Sequence, residues 1–348
     1  MKGAGWDVRV TGAANAERGE VFSMRPELVL RGVIPANLMA FDSELEIDEE
    51  NYRRHLRYLV DTPGVAGITT NAHASEVATL TFEEQQRVLE MTLDEVAEAV
   101  PVVCGVYEDG TSKAARIAKS AERQGADCLL VFPSTVYDFG HQLRPEMAYG
   151  HIAAIAEAVS LPIIVFVYPV ASGLHIPTDN LVRICDEIDN VIAIKEWSND
   201  IGVYERNWRE VKALDKKISL LSSFSKSLLA SLCIGADGIL SGHGSLIADL
   251  HVEMFEAVNR GDLEGARRVA GRAYPVVQAT YAEPFLDGHN RMKEALAILG
   301  RIDEAHVRLP LQRVSEAERE RLRRVVAEAG LPAVRREQPD AAALGRRS

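Results

Sequence analysis

A TIM barrel, an α/β fold of the (β/α)8 type with a C-terminal helical extension, is what this 348-residue sequence predicts, and three observations predict it. Eight short apolar runs alternate with longer amphipathic segments between residues 33 and 242. Most of these runs are rich in Val, Ile and Leu without strict polar alternation, the pattern of parallel strands covered on both faces. No GxGxxG or GxxxxGK phosphate turn follows an early strand, which disfavours the open, doubly wound sheet as the alternative.

In chain order, residues 1–28 are weakly patterned and are expected to form an N-terminal arm. The barrel is expected over 29–250, with strands in the runs at 33–41, 65–71, 100–106, 127–133, 162–168, 191–196, 218–223 and 237–242. Helical spacing lies between them, as at 49–60, 82–99, 112–124, 145–159 and 178–188. Thr81 and Glu84 form a capping-box pattern at the start of one helix, Pro177 and Thr178 open another, and Gly125 closes a third. The tripeptide GAD recurs at 125–127 and 235–237, each time between a helix and the next strand. Eight βα units in roughly 250 residues meet the requirement of a barrel. Beyond the eighth strand, helical patterns at 246–259, 263–282, 290–299 and 315–329 supply added helices packed on the barrel or on a neighbouring subunit. The extension is assigned to 251–330, and 331–348 is a polar tail.

The balance of 39 basic against 51 acidic residues gives a net charge of −12, which argues against nucleic acid or an anionic membrane as partner. A locally positive pocket for a small anion is still allowed. Cys104, Cys128, Cys185 and Cys233 are scattered without CxxC or Cys/His spacing, so they read as buried small residues of a reducing compartment. The longest apolar run, 161–170, is too short to span a bilayer, and no basic-then-apolar leader opens the chain. The expected location is the cytoplasm.

Barrel chemistry sits at the C-terminal ends of the strands. Three ends stand out. Lys195 closes the apolar run 191–196, where desolvation lowers an ammonium's pKa and frees an amine that can attack a keto group. From spacing alone, a lysine paired with Glu196 is an equal alternative. The segment 71–84 places small residues, Ala72, Ala74 and Ser75, where backbone N–H groups can approach a carboxylate, with Glu76 as a possible anchor. An ordinary βα loop reads the same way. At 166–173, Phe166 and Tyr168 share one strand face, which suits Tyr168 either to proton transfer or to core packing.

These segments, in this order and spacing, resemble the dihydrodipicolinate synthase / N-acetylneuraminate lyase family from about residue 32 to 300. Residues 193–200, AIKEWSND, resemble the family's GIKEASGD; residues 72–81, AHASEVATLT, resemble its GTTGESATLT; residues 166–173, FVYPVASG, resemble YNVPGRTG. Residues 125–133, GADCLLVFP, also fit the family's fourth strand. The resemblance implies a metal-independent lyase or aldolase whose Lys195 forms a Schiff base with pyruvate or a related 2-oxo acid, without an organic cofactor. A 2-keto-3-deoxy sugar acid dehydratase or hydratase-aldolase shares the same iminium. A weakened barrel that binds a 2-oxo acid as sensor or scaffold is the rival of another class. The family also implies a homodimer or homotetramer.

The departures are local. Phe166 stands where the family has a tyrosine, and His73 and Ala74 stand where it has hydroxyl residues. His73, expected to titrate near neutrality, and Tyr168 are the candidate replacements as proton carriers. Ala74 and Ser75 are expected at the substrate carboxylate. Ala171 falls where the synthase has its arginine, so an acidic aldehyde loses its clamp. Phe166, Phe224 and Trp197 make the expected pocket less polar, while His243 and Lys226 are candidates to meet an anion.

Overall fold

The computed structural model describes residues 28–223 and 225–334. The arm to residue 27, the tail beyond 334 and Phe224 therefore lie outside the described residues. Eight parallel strands form the sheet: β1 Gly32–Pro35, β2 Ile68–Thr70, β3 Val102–Val106, β4 Cys128–Val131, β5 Ile163–Val167, β6 Val191–Glu196, β7 Ser219–Ser222 and β8 Gly238–Ser241. Their order is β1-β8-β7-β6-β5-β4-β3-β2. Bridges Val33 to Val65 and Ala36 to Thr69 join the two ends, so the sheet closes on itself as a barrel.

Helices α1 Glu49–Val60, α2 Phe82–Val96, α3 Thr111–Gln124, α4 Glu146–Ala156, α5 Thr178–Glu187, α6 Ile201–Lys212, α7 Leu228–Ile234 and α8 Gly244–Asn259 alternate with the strands. Strands β3 and β5 are buried at every residue, because lumen side chains cover one face and the helix layer covers the other. The Thr81 hydroxyl accepts the Glu84 N–H at 3.2 Å and Glu84 returns a bond to the Thr81 N–H at 2.8 Å, a cap worth ~1 kcal/mol at the start of α2. The run expected as a strand over 33–41 is shorter in the structure: β1 ends at Pro35, and only the Ala36 and Asn37 N–H groups still bond the sheet, to the Ser241 and Thr69 carbonyls at 3.1 and 3.0 Å.

The line drawn at residue 250 falls inside α8, which packs on β1 and β8 and thus belongs to the barrel layer. Helices α9 Leu263–Thr280, α10 Gly288–Ile298 and α11 Glu316–Glu328 follow, with α9 along α8 and both later helices against α9. Three cysteines are buried, but Cys233 is exposed on α7, a correction to the expectation that all four are core residues. No helix among the described residues is long and apolar enough to cross a membrane.

Gly105 in β3 fixes the position of the loop after β2. A Cβ there would lie 1.9 Å from the Asn71 carbonyl oxygen, so only glycine lets the two backbones meet. The loop that follows is a tight 3-10 turn, His73–Ser75, flanked by Asn71 at φ 50° and Glu76 at φ 51°. Side chains rarely adopt that backbone region, and tertiary contacts hold both residues there.

Candidate active site

Strand alternation sends Lys195 and Glu196 to opposite faces of β6. Glu196 turns to the helix layer, where it accepts bonds from Asn207 Nδ2 at 3.1 Å and the Ser198 N–H at 3.2 Å; burial pushes its carboxyl up to about 7. Lys195 turns into the lumen, 4 % exposed, with Nζ 4.0 Å from the centroid of the Phe166 ring on the neighbouring β5 residue. No carboxylate among the described residues pairs with it, and burial lowers the amine from 10.5 to about 7. The Lys195–Glu196 pair left open by the sequence is therefore not the arrangement present.

The 73–75 turn lies beside the same phenylalanine, with the His73 ring centroid 6.2 Å from that of Phe166. Ser75 Oγ donates to the Asn37 carbonyl at 2.9 Å, and the Ser75 N–H closes the turn on Ala72 at 2.9 Å. Glu76 forms a buried ion pair with Lys293 of α10 and accepts the Arg308 N–H at 3.3 Å, which ties the turn to the C-terminal helices. His73 Nε2 shares a hydrogen bond with the Tyr168 hydroxyl. Burial, with the charges of His289 and Lys195, pushes the His73 imidazole down to about 3, and burial pushes the Tyr168 phenol well above 10. The expectation of a His73 titrating near neutrality is thus corrected. At neutral pH the phenol keeps its proton and donates it to a neutral ring nitrogen.

An aromatic wall surrounds the pair. His73 meets Phe132 and Tyr107 edge-on at 5.0 and 5.5 Å, Phe166 lies 4.7 Å from Tyr168, and Trp197 stacks between Phe166 at 6.0 Å and Phe285 at 5.6 Å. The structure thus brings Lys195, Phe166, His73, Tyr168 and the Ala74–Ser75 turn to one end of the barrel. Ala171 is exposed on the loop after β5. Exposed Lys226 lies 5.8 Å from the Phe285 ring centroid. His243 is buried, its Nε2 shares a 3.0 Å bond with the Thr280 hydroxyl, and burial holds it neutral. A cationic His243 waiting for an anion is not what the structure contains. His289, Phe285, Tyr107 and Phe132 are wall residues that sequence reasoning missed.

The dihydrodipicolinate synthetase family model matches residues 29–329. The chain belongs to that family. The 4-hydroxy-tetrahydrodipicolinate synthase of Syntrophus aciditrophicus is 32 % identical over 87 % of this chain and 99 % of its own length. The dihydrodipicolinate synthase structure from Thermotoga maritima superposes with a TM-score of 0.78 at 29 % identity, covering 86 % of this chain and 98 % of that one. YagE, a prophage protein of the family from E. coli K12 in complex with pyruvate, reaches 0.80 at 21 % identity over 87 % of this chain and all of its own, which bears on fold alone. As a member of the dihydrodipicolinate synthetase family the protein is a lyase of the aldolase type.

Proposed function

We propose that the protein is a Schiff-base lyase acting on pyruvate or a related 2-oxo acid, with Lys195 as nucleophile. The observation that carries this is the Lys195 amine, sealed in the lumen over Phe166, lowered to about 7 and without a carboxylate partner among the described residues. The free amine adds to the keto carbon, and loss of water leaves an iminium that draws electrons from the adjacent carbon. The Tyr168–His73 pair is the proton carrier, filling the role for which Phe166 lacks a hydroxyl. The Ala74–Ser75 turn lies at the acid's carboxylate, and Phe166 forms the floor beneath the amine.

Cleavage or formation of a carbon–carbon bond and loss of a hydroxyl group from a keto-deoxy sugar acid both pass through this iminium. A barrel that only binds a 2-oxo acid would share the pocket without turnover. A cytoplasmic homodimer or homotetramer is the assembly we assign, to be checked by sedimentation. Borohydride reduction in the presence of pyruvate is expected to leave a stable mass addition on Lys195, and none in Lys195→Ala. A panel of 2-oxo acids that gives no adduct on the wild-type chain by mass spectrometry would sink the Schiff-base reading.

A further inference from the structure

One imidazole at the barrel mouth has no task in the chemistry above. His289, the second residue of α10, is partly buried, and neither ring nitrogen makes a hydrogen bond among the described residues. Its position is set by Gly242, just past β8. A Cβ built on Gly242 would lie 2.9 Å from His289 Nε2 and 3.2 Å from the Ala74 Cβ. The imidazole and the 73–75 turn therefore meet over a residue that has no room for a side chain. Burial, and after it the nearby Lys195 and Lys293, push the His289 imidazole down to about 4, so it stands neutral beside the Lys195 amine. Lys293 in turn holds Glu76, the residue that ends the turn.

We propose that His289 receives the carboxylate of the 2-oxo acid together with the Ala74–Ser75 turn, and so selects acids over uncharged ketones. This rests on the Lys195 reading, because the carboxylate is bonded to the carbon that Lys195 attacks. A neutral imidazole presents one N–H, which donates to one carboxylate oxygen; no covalent bond changes. The Phe166 and Phe285 rings, stacked on either side of Trp197, carry no hydrogen-bond donor. The acid is therefore oriented with C1 toward β8 and the β2 loop. His289 is a specificity-determining residue contributed by the C-terminal extension to the barrel's own site.

The test compares pyruvate with methyl pyruvate, its uncharged ester, in borohydride trapping on Lys195 followed by mass spectrometry. His289→Ala is expected to raise the half-saturating pyruvate concentration by about ten-fold or more, the usual worth of a hydrogen bond to a charged group. The ester's half-saturation and the plateau at saturating pyruvate should stay within about two-fold of wild type. If His289→Ala does not fold, His289→Leu, which fills the same space without a donor, decides the same contrast. An unchanged half-saturation for pyruvate overturns the assignment and leaves the Lys195 chemistry standing. So does an equal rise for acid and ester, which reports damage to the pocket rather than loss of carboxylate recognition. A wild-type chain that traps neither compound removes the parent reading, and this one with it.

Discussion

Two opposing effects act on the Lys195 amine. The Phe166 ring face favours the ammonium by ~0.5–2 kcal/mol, whereas burial disfavours it more strongly and brings the amine to about 7. Only the neutral amine attacks, so the rate of pyruvate trapping should climb with pH through about 7 and level off above it. A climb that continues to pH 10 would show an ordinary lysine. The Tyr168–His73 pair makes a separate forecast. His73→Ala or Tyr168→Phe should slow exchange of pyruvate methyl protons with D2O by roughly 100-fold, the range of lost acid–base catalysis. Wild-type exchange in both variants would remove the pair from the relay. Lys195 stood out in the sequence because an ammonium at the end of an apolar strand is costly, and the family resemblance implied a 2-oxo acid as its partner. His289 was not legible. Its meaning comes from contact with a turn and a glycine far away in the chain, and its own helix reads as ordinary packing.

At the scale of elements, the ion pair Glu76–Lys293 joins the β2 loop to α10 in the interior, where both side chains are nearly inaccessible. Removing one partner leaves a buried charge alone. Lys293→Met should therefore cost about 3–5 kcal/mol in urea unfolding, while Glu76→Leu combined with Lys293→Met should recover much of that loss. Equal losses in the single and double variants would show that the pair is not energetically coupled. The strands were readable from composition, since Val, Ile and Leu runs covered on both faces have few alternatives. Their ends were less so. The run 33–41 stops being strand at Pro35, and α10 begins at Gly288 rather than at the expected 290. The kinship of α8 with the barrel also escaped the sequence, because an eighth barrel helix and a first added helix have the same amphipathic pattern.

Over the whole molecule, burial keeps several histidines neutral. His55 is held at about 3 and His251 at about 4, and both are 1 % exposed. Their unfolded counterparts protonate near 6.5. Above that pH neither state binds the proton and stability is intact. Below it the unfolded chain gains protons that the folded one refuses until about 3–4, so stability falls as pH drops through this window. Two such groups contribute a slope of roughly 3 kcal/mol per pH unit, large against a typical total of about 5–15 kcal/mol. The melting temperature should fall steeply between pH 6 and 4.5; a flat profile there would contradict the buried neutral state. The joint between Glu76 and Lys293 also has a consequence in time. The two residues are 217 positions apart, and at about 5–20 residues per second a ribosome needs roughly 10–40 s to travel that distance. Throughout that interval the nascent chain carries the turn of His73 without its anchor. A message cut short before α10 would yield Lys195 but no assembled pocket, so a reactive amine is completed only when synthesis is almost done.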